Sequence, residues 1–481
     1  NLTISQKTDL LHTNDIYLGF GNNLKEEEWL NMLIWGENKI VLKTLLREFK
    51  KKISLIYIDP PFATGSDFNL KVQIGESGKN INNIAYKDKW NEGLDTYLDF
   101  LYERLILMKE LLAYNGSIYV HLDWHISHYI KLIMDEIFGY DNFRNEIIWA
   151  YPAASVKTRR FFIRSYDTIL FYSKSDDYIF NDNPNIYQEF SDRVKNALKK
   201  DEKGTFYYRG GSHNGKKLSQ KVYIEKEGIF PRDVWNDIPY IRANTTEYQG
   251  FSTQKPERLL SRIILASTNE DDLVADFFCG SGTTLAVAEK LGRKWIGCDS
   301  NDFAIHMTKK RILSLSESND ILNWNKKYQR NPSSFKILAI GEKREIDSIP
   351  LVFLRKINNI HDKYDVKEPP SFDVTIHQNA NNIEIELVDY KIPFMELISD
   401  KIKENVTLFS DWIDYWAIDF EFNDNGFKIM WSSYRTPKNR NLCLKSSLYH
   451  YNKPGDYHIV VKTFDIFGFE IMRNFEVKIT S

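Results

Sequence analysis

The sequence predicts an α/β protein: a mostly parallel sheet covered on both faces by helices, interrupted by an insertion and followed by an antiparallel β-sandwich. Three observations carry this expectation. Short apolar runs rich in β-branched and aromatic residues alternate with stretches of helical spacing between residues 30 and 315. Within that span, residues 153–244 lose periodicity and fill with Lys, Arg, Asn, Tyr and Gly. From residue 371 onward, polar and apolar residues alternate.

Each element follows from its local pattern. Residues 54–58 (SLIYI) read as a buried strand that ends at Asp59-Pro60-Pro61, because two prolines cannot continue a hydrogen-bonded ladder. Residues 95–112 are apolar at helical spacing, and Asn115-Gly116 stops that helix ahead of a strand at 117–122. A third strand reads 167–172. A fourth, 272–278, runs into Gly280-Ser281-Gly282 and a helix over 283–291, and a fifth follows at 294–298. Past residue 316 a polar stretch leads to about residue 343. Then FDVTIH, IEIELV, WAIDFEF, FKIMWSSY, YHIVVKTF and FEVKI are separated by Asn, Gly, Pro and Asp turns, as in a sandwich. Trp412, Tyr415, Trp416 and Trp431 are read as its core. The expected division is a catalytic domain of residues 1–152 and 245–316, an insertion of 153–244, a connector of 317–370 and a sandwich of 371–481.

Composition narrows the classes. At about 100–200 residues per domain, 481 residues predict two to four domains. With 42% hydrophobic and 27% charged residues, the disordered, collagen-like and disulfide-scaffold classes all fit poorly. The formal charge of −2 means that any nucleic-acid contact must come from a local patch. Cys279, Cys298 and Cys443 form neither a disulfide framework nor a zinc pair, which suits a reducing cytoplasm. No apolar run approaches the roughly 18 residues of a membrane span, and no signal peptide is read.

Two turns carry chemistry. Asp59-Pro60-Pro61-Phe62 offers a carboxylate, a carbonyl pinned by proline and an aromatic face, which together suit a planar group bearing an NH2. A strand-ending turn capped by an aromatic is the plainer alternative. The second turn follows Asp276 and runs Phe278-Cys279-Gly280-Ser281-Gly282-Thr283 into a helix, with Asp299 ending the next strand where an acid can hold ribose hydroxyls. Leu285 stands where a dinucleotide fingerprint needs its third glycine, so a nucleoside without phosphates is expected, and S-adenosylmethionine is one. Cys279 is read as packing, with no redox role.

Together the turns resemble those of the β-class DNA amino-methyltransferases, in which D-P-P-[YF] precedes F-x-G-x-G. Gly36-Glu37-Asn38, the stretch GSIYVHLDW at 116–124 and Thr253-Gln254-Lys255-Pro256-Glu257 resemble further elements of that family in the same order. The resemblance covers about two-thirds of the chain and is closest to the modification subunits of type III restriction systems and similar solitary methylases. It implies a Rossmann-like, S-adenosylmethionine-dependent methyltransferase sheet with circularly permuted motif order. Asp59, Pro60, Pro61 and Phe62 would be catalytic, and Asp276, Phe278, Cys279, Gly280, Ser281, Gly282, Thr283 and Asp299 would hold the cofactor, with Thr253 and Lys255 beside its methionine end. The activity implied is N6-adenine methylation of flipped bases in double-stranded DNA, in a restriction-modification or related defence system. A homodimer and a helicase-nuclease restriction subunit are the implied partners, and no metal is needed. N4-cytosine methylation and a role as a DNA-recognition subunit are the alternatives. Cytosine C5 methylation is excluded, because none of the cysteines follows proline as that chemistry requires.

Sequence choice is assigned to the insertion. Residues 153–217 hold 13 Lys/Arg against 8 Asp/Glu, a balance of +5. Lys157, Arg159, Arg160, Arg164 and Arg209 are the DNA-contact candidates, although a single surface cation is most often only solvated. His121, His125 and His128 have helical spacing but lack an H-E-x-x-H pattern, and are read as pocket wall or core.

Overall fold

The computed structural model describes residues 12–17, 29–88, 93–151, 160, 162–213, 216–224, 228–340, 369–423 and 426–480. An 11-stranded sheet runs in the order Val234–Trp235, Phe143–Ala150, Tyr166–Ser173, Leu112–Leu122, Ile53–Ile58, Leu273–Asp276, Lys294–Asp299, Asn31–Gly36, Phe335–Ile340, His12–Tyr17 and Phe427–Lys428. The strands from Leu112–Leu122 through Phe335–Ile340 are parallel. Tyr166–Ser173 is antiparallel to both of its neighbours.

A strand covered on both faces reads as a continuous apolar run, and Ile53–Ile58 is buried along its whole length. Its side chains divide between two cores. Ile56 and Ile58 pack with Val41, Leu42 and Leu45 of the Asn38–Phe49 helix and Leu101, Leu105 and Met108 of the Leu94–Leu111 helix. Leu55 and Tyr57 pack on the other face, in the core that holds Leu260, Ile263, Leu285 and Ile312 from the helices Glu257–Ser267, Thr283–Lys290 and Asp302–Leu313. The expected strands and helices of this core lie within a few residues of their predicted bounds. The largest difference is the strand expected from residue 117, which begins at Leu112 and takes in Asn115-Gly116. The strand expected over 272–278 is shorter than predicted. It stops at Asp276, whose carboxylate accepts the Phe278 N–H at 3.0 Å and turns the chain.

Three further features depart from the expected organisation. Phe335–Ile340, inside the expected connector, is a central-sheet strand parallel to Asn31–Gly36, with Phe335 fully buried. Val234–Trp235, inside the expected insertion, also belongs to that sheet, as does the expected third strand, Tyr166–Ser173. Between them, Lys199–Asp201, Gly204–His213 and Lys216–Tyr223 form a separate antiparallel sheet. A hairpin of Asp67–Ile74 and Lys79–Lys87 was not anticipated either.

The C-terminal region contains two antiparallel sheets. One pairs Ser371–Asn379, Asn382–Lys391 and Tyr449–His450, and the other pairs Trp431–Tyr434, Ile413–Asp419, Gly455–Asp465 and Glu470–Ile479. Trp412, Tyr415 and Trp416 are buried, and Trp431 packs edge-on against Trp416 at 4.6 Å. The FKIMWSSY segment is divided between sheets, because Phe427–Lys428 leaves to pair with His12–Tyr17 at the edge of the central sheet. One continuous core joins Ile385, Trp416 and Val461 of this region to Phe251, Phe303 and Met307 of the α/β unit. No helix among the described residues is long and apolar enough to cross a membrane.

Candidate active site

In an open parallel sheet, ligands sit beyond the carboxyl ends of the strands. Asp59, Asp276, Asp299 and Gly36 all lie at those ends, with Ile53–Ile58 directly beside Leu273–Asp276. Asp59 is largely buried. Lys255 Nζ lies 2.5 Å from its Oδ2, while its Oδ1 is buried without a hydrogen-bond partner. A buried acceptor left open is costly unless something else supplies a donor. Pro60 is buried, and the ring of Phe62 lies near-parallel to His121, with centroids 6.1 Å apart and planes at 17°. The turn behind Phe62 is tied down by the fully buried Asp88, which accepts from Ala63 N, Thr64 N and Thr64 Oγ1 at 2.7–2.8 Å. His121 is fixed in turn by Tyr57 Oη on Nδ1 (2.9 Å) and Asp167 on Nε2 (3.0 Å). Burial, with Asp59 nearby, pushes the Tyr57 phenol well above its ordinary range.

The glycine turn faces this group. Gly280 and Gly282 have φ of 50° and 72°, and a Cβ on Gly282 would stand 2.6 Å from Thr308. Asp299 accepts the Gly280 N–H at 2.9 Å and the Asn301 N–H at 2.9 Å, and burial raises its carboxyl. Asp276 lies beneath the turn. It accepts from Phe278 N and from Thr284 Oγ1 (2.5 Å), and burial lifts it to about 7 against those bonds. Asp276, buried where Asp299 is only half-buried, shapes the loop from below. Cys279 is buried in the helical core and its thiol is raised by that burial, consistent with packing. Ser281 and Thr283 are buried, their oxygens bound by Arg311 at 3.1 and 2.8 Å, and Thr283 Oγ1 donates to Lys255 O at 3.2 Å. Phe278 meets Phe100 edge-on. Thr253 contributes its carbonyl 3.5 Å from Lys255 Nζ. The nearest partner of Lys255 is thus Asp59, where the sequence expectation put the methionine end of a cofactor.

These residues fit a nucleoside without phosphates: the glycine turn leaves room for close backbone approach, and an acid stands at the end of the next strand. A family profile described as DNA methylase matches residues 53–310, more than half of the sequence. The chain belongs to the DNA methylase family.

Named relatives agree with this membership. The methylase is 33% identical over 342 residues to the type II methyltransferase M.EcaI of Enterobacter cloacae, covering 62% of this chain and 73% of that one. It is 30% identical to the DNA adenine methyltransferase YhdJ of Escherichia coli (61% and 84% covered). It is 27% identical to the probable type III HindVI Mod subunit of Haemophilus influenzae, covering 59% of this chain and 50% of that one.

Of the expected DNA contacts, Lys157 and Arg159 lie outside the described residues. Arg160 and Arg164 are exposed, and the Arg164 guanidinium stacks 3.6 Å from Trp124, just past the Leu112–Leu122 strand end. Arg209 is exposed on the separate three-stranded sheet. His125 pairs with Asp123 at 2.5 Å. Sequence reasoning missed several residues that hold these turns in place. Arg104 bonds Asn38 Oδ1 at 2.5 Å and pairs with Glu37, while Asn38 donates to Phe277 O at 3.2 Å. A cation in the buried stripe Leu101, Leu105 and Met108 was the available signal. Asp88, Thr308 and Arg311 carried no comparable one.

Proposed function

We propose that this DNA methyltransferase moves the methyl group of S-adenosylmethionine to the N6 amino group of adenine in double-stranded DNA. The observation that carries the reading is Asp59, with one oxygen held by Lys255 and the other buried and open. An exocyclic amine is a poor nucleophile, because its lone pair is delocalised into the ring. Hydrogen bonds from its two N–H groups to Asp59 Oδ1 and the Pro60 carbonyl favour a tetrahedral nitrogen and aim the lone pair. Asp59 Oδ1 is also the carboxylate oxygen available to the proton that leaves nitrogen as the C–N bond forms. Phe62, backed by His121, offers a face to a base taken out of the duplex stack. S-adenosylmethionine supplies a methyl group already activated by its sulfonium charge. The chain's part is to hold it over the glycine turn, with Gly280, Gly282 and Asp299, and to exclude water.

Adenine is favoured over cytosine by aspartate at the first position of the tetrad and by likeness to a protein named as a DNA adenine methyltransferase. Arg160, Arg164 and Arg209 serve as phosphate or base contacts. Likeness to a Mod subunit supports a place in a restriction-modification system, with a second copy and a restriction subunit as partners, working in the cytoplasm. Mass spectrometry of nucleosides after incubating unmethylated DNA with protein and S-adenosylmethionine tests the reading. N6-methyladenine is expected, and N4-methylcytosine would overturn the base assignment. Asp59→Ala is expected to lower turnover by at least about 10²–10³-fold while leaving cofactor and DNA affinity in place.

A further inference from the structure

The helix Asp302–Leu313 has partners on two sides. One side braces the glycine turn: Thr308 Oγ1 donates to Gly280 O at 2.9 Å, and Arg311 Nη1 donates to Ser281 O at 3.1 Å. The other side is gripped by the C-terminal domain. Asp414, nearly fully buried on the Ile413–Asp419 strand, accepts from His306 Nε2 at 2.7 Å and from Lys310 Nζ at 2.5 Å, and Lys310 also donates to Arg435 O at 2.8 Å. Arg435 is buried and reaches Ile413 O and Ser410 O, so the acceptor it presents is itself fixed. The His306 ring stacks on Phe464 with centroids 3.8 Å apart. Phe303 packs on the same Phe464, and Phe251, in the shared core, lies 3.5 Å from where a Cβ on Gly280 would stand.

We infer that Asp414 of the C-terminal domain is a positioning residue for the cofactor turn, acting through His306 and Lys310 on the helix that holds Gly280 and Ser281. The step from the ion pair to the turn is short. Residues three and four apart share one helical face, so His306 and Lys310 meet Asp414 together, while Thr308 and Arg311 project to the glycine turn from the same two turns of helix. A shift or rotation of the helix released from Asp414 moves the Thr308 and Arg311 donors directly. Of the strand-end carboxylates, Asp59 is held by Lys255, whereas Asp299 accepts the N–H of Gly280 itself and so shares the turn that this contact braces. The C-terminal domain is therefore part of the cofactor site's scaffold rather than an attachment to it.

This inference rests on S-adenosylmethionine being the cofactor, and the test separates the two. Affinity for S-adenosylmethionine and for a target duplex is measured by calorimetry on the full chain, together with kcat and the KM of each substrate. Wild type failing to bind S-adenosylmethionine would sink the cofactor reading. With wild type binding, Asp414→Asn is expected to weaken S-adenosylmethionine binding and raise its KM by about tenfold while duplex affinity stays unchanged, a split that a general loss of structure does not produce. Lys310→Met, which leaves the His306–Asp414 bond in place, is expected to show a smaller shift in the same direction. It carries the measurement if Asp414→Asn lacks the wild-type near-ultraviolet circular dichroism. Folded variants with wild-type S-adenosylmethionine affinity, or with cofactor and duplex affinity falling equally, overturn the inference.

Discussion

Gly282→Ala puts the shape of the cofactor turn to a quantitative test. Gly282 has a φ of 72°, and a Cβ there would lie 2.6 Å from Thr308 Cγ2, 2.7 Å from its Oγ1 and 3.0 Å from its Cβ. Two costs follow. Holding alanine in the left-handed region costs about 1–2 kcal/mol. Thr308 must also turn away, giving up its bond to Gly280 O, worth about 0.5–1.5 kcal/mol. The sum is roughly 1.5–3.5 kcal/mol, and it falls on the backbone that faces the cofactor. If the turn relaxes to escape it, S-adenosylmethionine affinity falls by about 10- to 300-fold, at about 1.4 kcal/mol per tenfold. Gly297→Ala is the matched control: its Cβ would meet Leu285 Cδ1 at 2.2 Å, in the core and without a positive φ. Overpacking there is expected to cost about 1–3 kcal/mol of stability and leave cofactor affinity within about threefold of wild type. Calorimetry with S-adenosylmethionine and thermal unfolding of both variants read the contrast. A Gly282→Ala protein with wild-type affinity and wild-type Tm would refute the argument that this turn's shape depends on glycine.

Two other outcomes follow from the same geometry. Lys255→Met removes the cation 2.5 Å from Asp59 Oδ2, so a largely buried carboxylate loses its partner; kcat is expected to fall by at least about tenfold with KM for DNA little changed, and an unaltered kcat would show that Lys255 does not orient Asp59. His306 is pushed down to about 3 by burial, against the pull of Asp414, with Lys309 and Lys310 also nearby. The unfolded chain therefore binds a proton at this site near pH 6.5 that the folded chain refuses until about pH 3, so stability is lost as pH falls through that window. Asp414, held below its ordinary range by Lys310 and His306 despite its burial, adds a further loss at lower pH. Urea unfolding between pH 7 and 4 is expected to show a shallower decline for His306→Gln than for wild type, and parallel declines would count against a buried neutral histidine.

Local signals made much of the site legible. Asp59-Pro60-Pro61-Phe62 and the Phe278–Thr283 turn each interrupt a strand with residues that have few other uses, proline ending a ladder and glycine taking a positive φ, and both turns lie where the sequence put them. Burial periodicity was equally local, so Leu94–Leu111, Thr283–Lys290 and Lys294–Asp299 match their predicted spans to within a residue. Phe335–Ile340 was missed for the complementary reason. Six apolar-leaning residues between Asn- and Lys-rich flanks carry no sign that a parallel partner, Asn31–Gly36, waits about 300 residues earlier in the chain.

What the sequence could not convey is which groups hold the motif residues in place, because those partners come from far along the chain. Asp88 reaches back across the hairpin to the Ala63 and Thr64 amides, Lys255 crosses 196 positions to Asp59, and Asp414 crosses 104 to Lys310. A carboxylate or lysine at such a position looks in sequence like any solvated charge. Only its burial beside an opposite charge reveals a constraint, and burial is a property of the folded core. The C-terminal region shows the same limit at larger scale. Its alternating strands foretold two antiparallel sheets, yet nothing in the alternation distinguishes a free-standing sandwich from one sharing a core with Phe303 and Met307. That shared core decides how the domain acts: together with Asp414 it braces the helix that holds the glycine turn.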